Sequence, residues 1–393
     1  MVPSPPHSID VQTPQTAEEL AEALRCAAAA RQSIALQGNG TKRLMAGPVQ
    51  AAATGVSSCA MQRVLQYEPH DLTVSVEAGL PWSEFSRLLA ENRQMVPLDP
   101  PFAERATVGG VVASNCSGPR RRLYGTARDV VIGMRFATLE GKLVDSGGMV
   151  VKNVAGLDMA KLMIGSFGTL AAIAVVNFKV LPMPEVERTF LLSFENAAEA
   201  ISARNKLLAG VLQPAAVDLW NPPAAGSIGR RSWILAVRAG GNTAAVERYE
   251  RELAGLGDGV VLEGERQATL WRHIQELTPQ HLAHYADGAV VRASCTLKEV
   301  EPVMASFDGP AVSRAGSGVC YGYFEKSDAA AEWLASALKR GWRAVMEFAP
   351  DARRPSLDLW PGAPPAELEI MRRVKALFDP SNLLNRGRLY GRI

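Results

Sequence analysis

The sequence has little net charge, no long apolar run and no recognisable export signal. Its 42 basic and 40 acidic side chains leave a net charge of +2, which is too small for the basic surface that binds nucleic acid. The longest apolar run, residues 170–176, is far shorter than the ~18 residues of a membrane-spanning helix, and no cationic start leads into an apolar stretch. We therefore expect a cytoplasmic protein that binds no nucleic acid and touches a membrane only peripherally.

Residues that bind metals are few and scattered. The five cysteines form no C-x-x-C pair, which argues against a disulfide framework, a zinc site and an iron–sulfur cluster, so we expect buried free thiols. Among the five histidines, His281 and His284 have i, i+3 spacing and could meet on a helix, but their segment is polar and favours surface residues. We predict no metal site. The five cysteines are Cys26, Cys59, Cys116, Cys295 and Cys320, and the three remaining histidines are His7, His70 and His273.

A chain of 393 residues predicts two or three packed units rather than one core. In residues 1–182 the first helix is predicted over residues 17–31, opened by a capping box of Thr16 and Glu19. Residues 71–77 alternate apolar and polar side chains, which is typical of a half-buried strand. Pro182 and Pro184 mark the predicted boundary of this unit. Further strands are predicted at residues 33–36, 130–138, 142–145 and 170–180.

Residues 183–362 follow a different order of elements. A strand, a helix, two strands and a helix between residues 189 and 256 have the order of a ferredoxin-like sandwich, and a similar set lies between residues 289 and 347. We expect one larger antiparallel sheet with helices on one face. A C-terminal helix and tail, residues 363–393, are predicted to return to the first unit. The fold class is therefore α+β.

Three clusters of glycine and small polar residues occur in the first unit. The first, Gln37-Gly-Asn-Gly-Thr-Lys42, follows a strand, where glycines let backbone N–H groups approach phosphate oxygens. It is neither a Walker A loop nor a Rossmann turn, and taken alone it is equally compatible with an ordinary turn. The second spans residues 107–118 and leads into residues 124–129, and the third spans residues 152–158 and 161–170. Together they favour a surface against which a flat ring system can lie.

The order and number of these motifs carry a specific resemblance. GNGT, ATVGG-x-x-A-x-N-x-SG, YGT-x-R-D, KN-V-AG-x-D-x-x-KL-x-IGS-x-GTL and a late FDPSNLLN-x-G resemble those of the FAD-linked oxidases with the vanillyl-alcohol oxidase or PCMH fold. Within that family the chain is similar to the FAD-binding E subunits of bacterial glycolate oxidases, short relatives of the D-2-hydroxyacid dehydrogenases. The resemblance implies a PCMH-type FAD-binding domain of two subdomains, a ferredoxin-like α+β cap and a C-terminal segment that returns to the FAD domain.

The resemblance also implies which residues hold FAD. The first cluster would bind the pyrophosphate through backbone N–H groups, the second would line the flavin and ribityl region, and the third would close around the cofactor. No histidine lies in the first loop, where many relatives attach flavin covalently, so we expect non-covalent FAD and take Cys116 as a packed residue. The implied residues are Gln37, Gly38, Asn39, Gly40, Thr41 and Lys42; Thr107, Gly109, Gly110, Ser114, Asn115, Gly118, Tyr124 and Gly125; and Gly165, Ser166, Gly168, Thr169 and Ile173.

The residues that would bind a substrate are less well marked. Relatives that act alone carry H-x-G-D-G-N-x-H and E-H-G motifs that bind a divalent metal, whereas residues 314–321 here read Arg-Ala-Gly-Ser-Gly-Val-Cys-Tyr and no E-H-G occurs. Arg292, in the apolar strand AVVRAS, is the candidate cation for a substrate carboxylate, because a buried arginine needs an anionic partner. A structural ion pair would explain Arg292 equally well. Arg353 and Arg354 are equally compatible with a solvated turn, and no general base is identifiable.

The resemblance implies a FAD-binding subunit of a glycolate oxidase complex, which oxidises glycolate, a small 2-hydroxyacid, to glyoxylate by hydride transfer to flavin. Electrons would pass to an iron–sulfur subunit, because this chain has no cluster motif. The missing metal histidines favour hydride transfer by a homologous FAD-binding D-type subunit. The complex would associate with the cytoplasmic face of the inner membrane through its partners. Two alternatives stay open: a stand-alone D-2-hydroxyacid dehydrogenase, and a structural flavin-carrying subunit without turnover.

Overall fold

A computed structural model of the chain describes residues 9–149 and 157–393. The first helix, α1, begins after Thr16, whose Oγ1 accepts a hydrogen bond from the Glu19 backbone N–H at 3.1 Å. The Glu19 carboxylate in turn accepts from the backbone N–H of Gln15 at 2.8 Å. The predicted N-terminal cap is therefore present, with the return bond moved by one residue. Leu20 and Leu24 on the inner face of α1 are fully buried.

The N-terminal region contains two main sheets. A parallel sheet has the strand order β1-β3-β2, and an antiparallel sheet has the order β4-β5-β9-β7-β8, while β6 pairs with β10. The strands are β1 (Val11–Gln12), β2 (Ile34–Gln37), β3 (Thr54–Ser57), β4 (Val64–Glu68), β5 (Thr73–Glu77), β6 (Gln94–Met95), β7 (Val131–Ala137), β8 (Leu143–Gly147), β9 (Ala172–Lys179) and β10 (Leu181–Pro182). The helices are α1 (Ala17–Ala29), α2 (Trp82–Glu91), α3 (Val108–Ser114), α4 (Arg121–Tyr124), α5 (Ala127–Val130) and α6 (Ala160–Met163).

Strand β5 differs from the half-buried strand that its alternation predicts. All five of its residues are buried, because β4 and β9 flank it. The Glu77 carboxylate accepts hydrogen bonds from the Arg63 backbone N–H and guanidinium, each at 2.7 Å. Alternating polar residues therefore do not mark a solvent-exposed face here.

The following region forms one antiparallel sheet of eight strands, in the order β14-β11-β13-β12-β16-β17-β15-β18. The strands are β11 (Val186–Phe194), β12 (Ala216–Trp220), β13 (Trp233–Gly241), β14 (Asp258–Leu262), β15 (Ala289–Ser294), β16 (Ala311–Arg314), β17 (Val319–Phe324) and β18 (Arg343–Phe348). The helices are α7 (Ala197–Ala209), α8 (Pro222–Ala225), α9 (Thr243–Leu253), α10 (Gly264–Gln275), α11 (Leu277–His284), α12 (Val300–Ala305) and α13 (Ser327–Lys339).

This sheet consists of two ferredoxin-like units joined edge to edge. Strands β11 to β14 with α7 and α9 form one βαββαβ unit, and β15 to β18 with α12 and α13 form the second, with mirrored strand orders that meet where β12 pairs with β16. The sequence predicts most of this sheet and misses two strands. Strand β14 is an exposed edge strand with one buried residue, and β16 has four residues that are all buried, so neither shows an alternating pattern.

A buried ion pair lies at the junction of the two units. Asp218 of β12 is fully buried and pairs with Arg314 of β16. Burial raises the pKa of Asp218 to about 6, although the Arg314 charge opposes this shift. A buried pair of this kind holds the two strands in one register, because displacement of either side chain leaves a charge without a partner.

Helix α14 (Pro365–Phe378) and the C-terminal tail, defined as residues 379–393, return to the N-terminal region. The buried Lys375 ammonium donates hydrogen bonds to the Asp379 carboxylate at 2.6 Å, the Thr169 carbonyl at 2.8 Å and the Leu384 carbonyl at 2.7 Å. The Asp379 carboxylate also accepts from the backbone N–H of Leu383 at 2.9 Å. The hydrogen bonds of Lys375 therefore hold the tail against the third glycine cluster.

The tail also contacts the first glycine cluster. Asn385 Oδ1 accepts from the Leu36 N–H at 2.7 Å, and its Nδ2 donates to the carbonyls of Leu36 at 3.1 Å and Phe167 at 2.8 Å. The Arg388 guanidinium donates to the carbonyl oxygens of Lys42 at 2.6 Å and Gly47 at 2.8 Å. The last residues of the chain thus hold the loops that begin near residues 37 and 165.

None of the helices in the described ranges combines the length and the hydrophobicity that crossing a bilayer requires.

We predict that Asp379→Asn lowers the free energy of unfolding by about 3–5 kcal/mol, because it leaves the buried Lys375 ammonium without its counter-charge. Chemical denaturation followed by circular dichroism measures the loss. Glu369→Gln is the matched control, since Glu369 forms an exposed i, i+4 ion pair with Arg373 at 3.0 Å on α14 and its removal should cost less than about 1 kcal/mol. Equal losses in the two variants would contradict the proposed role of the buried pair.

Candidate functional site

The first glycine cluster borders a cavity of about 380 Å³. Residues from all three clusters line it, together with Phe167, Arg354 and Arg388, which the sequence analysis did not assign to it. The implied cofactor residues in its wall are Gln37, Gly38, Asn39, Gly40, Thr41, Lys42, Thr107, Gly109, Gly110, Ser114, Gly168 and Ile173. The structure therefore brings together twelve of the implied residues in one wall.

The loop after β2 presents unused hydrogen-bond donors to this cavity. Among the described residues, the backbone N–H groups of residues 39–42 donate to no protein acceptor. The Lys42 side chain is 7% exposed, and its Nζ has no hydrogen-bond partner in the described part of the chain. Burial lowers the pKa of Lys42. Four free amides and one buried ammonium form a site for a phosphate-bearing anion.

Close backbone contacts shape the same wall. The Thr107 hydroxyl caps α3 by accepting from the Gly110 N–H at 3.2 Å, and a Cβ added at Gly38 would lie 2.2 Å from Thr107 Oγ1. A Cβ at Gly109 would lie 2.7 Å from the Ala78 Cβ. The first and second clusters can therefore pack together only because residue 38 is glycine, and the second cluster can pack against Ala78 only because residue 109 is glycine.

The third cluster is held by its own side chains. Ser166 Oγ accepts from the Gly168 N–H at 3.3 Å, and the Thr169 hydroxyl donates to the Ser166 carbonyl at 2.7 Å. Gly165 and Gly168 have positive φ values of 80° and 67°, which favour glycine. Ser166 and Thr169 thus shape this turn and line neither cavity. Residues 152–156 of the third cluster lie outside the described residues.

A second cavity of about 630 Å³ lies between the second cluster and the eight-stranded sheet. It shares Ser114 and Phe167 with the first cavity, and its wall includes the implied cofactor residues Asn115, Gly118 and Gly165. The two cavities thus form adjoining parts of one site.

Tyr124 and Gly125 line neither cavity. Tyr124 ends α4 and Gly125 follows it with a φ of 78°. A Cβ at Gly125 would lie 2.3 Å from the Asp129 carboxylate, which accepts from the Thr126 N–H at 2.7 Å. The YGT-x-R-D motif therefore builds a capped turn beside the site, and its glycine is explained by that turn.

The sheet presents charged and phenolic side chains to the second cavity. Arg292, Arg314, Tyr321 and Glu347 all lie in its wall. Arg292 Nε donates to Glu347 Oε1 at 2.8 Å, and Arg292 Nη1 donates to the Ser294 hydroxyl at 3.1 Å. Burial raises the pKa of Glu347, although the Arg292 charge opposes this shift. The anionic partner that Arg292 requires is thus present within the protein, and a role in binding a substrate carboxylate stays a prediction.

Arg353 and Arg354 have different surroundings. Arg353 forms a surface ion pair with Asp328, as a solvated turn predicts. Arg354 is 4% exposed, pairs with Asp351, and donates to the Arg43 carbonyl at 2.6 Å. The interpretation of a solvated turn is therefore wrong for Arg354, which lines the first cavity.

In the described ranges, the histidines and cysteines do not come together to form a metal site. His281 and His284 lie on α11 as predicted, but His281 is half-buried, with Nε2 2.8 Å from the Phe324 carbonyl. The surface interpretation is therefore wrong for His281. The described ranges contain no group of three or more His, Cys, Asp or Glu side chains suited to a metal. Cys116 is buried, with Sγ 3.1 Å from the Ser114 hydroxyl, whereas Cys26 is exposed and departs from the expectation of buried thiols.

Parts of the chain match known sequence families, and its fold is similar to those of solved structures. Residues 10–147 match a family described as FAD binding domain, and residues 362–389 match FAD linked oxidases, C-terminal domain. The solved 4-ethylphenol oxidase from Gulosibacter chungangensis superimposes with a TM-score of 0.74 at 14% identity, covering 97% of this chain and 88% of that one. An alkyldihydroxyacetonephosphate synthase gives a TM-score of 0.72 at 17% identity, with 95% and 76% coverage.

Relatives in sequence include two glycolate oxidase subunits. Subunit GlcE of Escherichia coli is 33% identical over 198 residues, which are 50% of this chain and 55% of that subunit. Subunit GlcD of Bacillus subtilis is 25% identical, covering 84% of this chain and 78% of that subunit. A D-2-hydroxyglutarate dehydrogenase from Xanthomonas citri is 26% identical, covering 98% of this chain and 90% of that enzyme.

These findings define a flavoprotein with the PCMH-type FAD-binding fold, as the sequence predicts. The chain carries FAD binding and FAD-linked oxidase C-terminal regions homologous to those of glycolate oxidase subunits, and FAD is its cofactor. The observed donors fit this group, because the free amides of residues 39–42 and the buried Lys42 ammonium suit a pyrophosphate. The positions of these donors agree with the predicted binding of the FAD pyrophosphate by the first glycine cluster.

We predict that Lys42→Met weakens FAD binding roughly 10- to 100-fold, because it removes a charged donor, yet stabilises the FAD-free protein by about 1–3 kcal/mol, because it removes a buried unpaired charge. Isothermal titration with FAD and denaturation of the FAD-free protein measure the two effects. Lys206→Met, at an exposed position of α7, is the control. A variant that loses both FAD affinity and stability would contradict the assignment.

The same charge predicts a pH dependence. Burial lowers the pKa of Lys42 in the folded FAD-free chain below its ordinary value in the unfolded chain. The folded chain therefore binds fewer protons, and its stability should rise as the pH increases from the lowered pKa towards the ordinary one. Lys42→Met should lack this component of the rise, which denaturation at a series of pH values can measure.

We predict that Gly38→Ala folds but retains little FAD, since the new Cβ would displace Thr107 and the cap of α3. The ratio of flavin to protein absorbance in the purified protein measures retention. Gly226→Ala is the control because a Cβ there meets no atom within 4 Å. Full retention of FAD by Gly38→Ala would show that the first two clusters are not part of the cofactor wall.

Proposed function

We propose that this chain is the FAD-binding subunit of a glycolate oxidase complex, which oxidises glycolate to glyoxylate and passes the electrons to an iron–sulfur subunit. One observation carries the proposal: the cavity lined by the implied FAD residues adjoins a second cavity whose wall contains arginine side chains. A 2-hydroxyacid needs a cation for its carboxylate beside the flavin, and in this proposal the two adjoining cavities would hold both.

When bound, FAD would supply the two-electron oxidation of the carbon that carries the hydroxyl group. The chain's own residues would bind and orient the acid. In this proposal Arg292 faces the substrate carboxylate from the sheet, and its ion pair with Glu347 at 2.8 Å holds the guanidinium in one orientation. The enclosed wall between the sheet and the second cluster would exclude water from the reacting carbon.

Similarity to subunits named GlcE and GlcD supports a place in a multi-subunit enzyme. We propose a homologous FAD-binding D-type subunit and an iron–sulfur subunit as partners, with association at the cytoplasmic face of the inner membrane through them. The described ranges hold no cysteine cluster that could bind iron and sulfur, so an electron carrier on a partner chain accounts for the next step in electron transfer.

A second candidate function is a stand-alone FAD-dependent D-2-hydroxyacid dehydrogenase. The observation that favours it is the similarity to D-2-hydroxyglutarate dehydrogenase over 98% of this chain and 90% of that enzyme. In this case the isolated chain would turn over substrate with an artificial electron acceptor and would need no partner. A structural subunit that carries FAD without turnover is the third possibility, and it would hold flavin that the acid never reduces.

The test is anaerobic addition of glycolate to the purified full chain, followed by acid denaturation. Because both cavities lie in this chain, we expect a flavin spectrum that glycolate bleaches, in contrast to the hydride transfer by a D-type subunit that the missing metal histidines favour. We also expect flavin that acid releases into the supernatant, because the attachment is non-covalent. Arg292→Ala should retain the flavin and lose the bleaching. A spectrum that glycolate leaves unchanged would assign the hydride transfer to a partner subunit, and flavin that stays with the precipitate would contradict non-covalent binding.

A further inference from the structure

The charges in the wall of the second cavity do not cancel. Arg292 pairs with Glu347 and Arg314 pairs with Asp218, so each of these two guanidinium groups already has a carboxylate. Arg121 also lines the cavity, and within the described ranges no carboxylate lies within ion-pair distance of its guanidinium. One arginine in this wall is therefore free to bind an anion.

The other charged residues of the wall do not change this result. Asp99 pairs with Arg120 at 2.6 Å, and both side chains are largely buried. Arg343 and Glu367 are exposed residues of the wall, where solvent screens their charges. The uncompensated charge beside the Arg292–Glu347 pair therefore belongs to Arg121.

Arg121 approaches the cavity from the FAD-binding side. It is the first residue of α4, three residues after Gly118 of the second cluster, and Nη1 donates to the Ser117 hydroxyl at 3.3 Å. Its charge acts on the opposite wall, where it lowers the pKa values of Glu347 and Tyr321 against the larger effect of burial. Arg121 and the Arg292–Glu347 pair thus line the same cavity, Arg121 from the N-terminal region and the pair from the sheet.

We propose that Arg121 is a further residue that binds the substrate carboxylate, from the wall opposite Arg292, and that it supplies the net positive charge for that carboxylate. This inference rests on the proposed function and extends it to a residue of the FAD-binding region. A guanidinium without a carboxylate partner can form two parallel hydrogen bonds to a carboxylate. Arg292 adds no net charge, because Glu347 neutralises it, so in this proposal Arg292 contributes an oriented hydrogen-bond donor and Arg121 contributes the charge.

Binding of glyoxylate, the proposed product, tests this inference without turnover. The full chain with FAD bound is titrated calorimetrically with glyoxylate, and its visible spectrum reports FAD content separately. We expect Arg121→Gln to weaken glyoxylate binding about 10- to 100-fold with FAD retained, since it removes a charge-assisted pair. Arg121→Lys should bind with intermediate affinity, because it keeps the charge and loses the paired geometry. The affinity of the unaltered chain should also fall as salt is added.

Arg122→Gln is the matched control, because it removes an arginine from the same helix. Arg122 does not line the cavity and instead donates to the Gln213 side chain and the Pro214 carbonyl, each at 3.3 Å, so glyoxylate binding should be unchanged. Equal affinity of Arg121→Gln and the unaltered chain would overturn this inference and leave the proposed function standing. Absence of glyoxylate binding in the unaltered FAD-bound chain would also overturn it. A correctly folded chain without FAD would contradict the proposed function as well.

Discussion

The site depends on a buried lysine more than 200 residues away in sequence from the loop that it stabilises. Lys375 donates to Asp379 within the tail and to the carbonyl of Thr169 in the third glycine cluster. A buried ammonium is tolerated only where its hydrogen bonds and charge are satisfied, and the observed position of the tail meets this condition. From that position Asn385 and Arg388 reach the loop after β2. The cofactor wall is thus assembled from both ends of the chain.

The eight-stranded sheet supplies the other half of the site through the alternation of its side chains. Residues two apart on a strand share a face, which brings Arg292 and Ser294 of β15 and Val345 and Glu347 of β18 into the same cavity wall. The Asp218–Arg314 pair fixes the register where the two βαββαβ units meet. The Asp218–Arg314 pair is buried and the Arg292–Glu347 pair is partly buried, so their partners are constrained and the wall presents a defined charge to the neighbouring cavity.

Much of the fold and of the cofactor wall could be predicted from the sequence. Helix α1, the hairpin of β7 and β8 and most strands of the large sheet carry strong local patterns, and twelve implied residues line one cavity. What the sequence could not supply is pairing between distant residues. Arg292 looks like a buried cation in need of an anion, and only the fold shows that Glu347 is its partner. Arg121 lies in a run of three arginines whose roles differ, since Arg120 pairs with Asp99, Arg122 contacts Pro214, and Arg121 alone faces the cavity.

The unpartnered Lys42 ammonium has a consequence for the life of the protein in the cell. A chain that folds without its dinucleotide buries a Lys42 ammonium that has no hydrogen-bond partner in the part of the chain that the structure describes, while a ligand that binds only the folded state stabilises it by mass action. We therefore expect the supply of flavin to influence how much of this protein survives proteolysis after synthesis. A cell short of riboflavin would lose the polypeptide itself along with its activity, and abundance would follow vitamin status with no change in transcription.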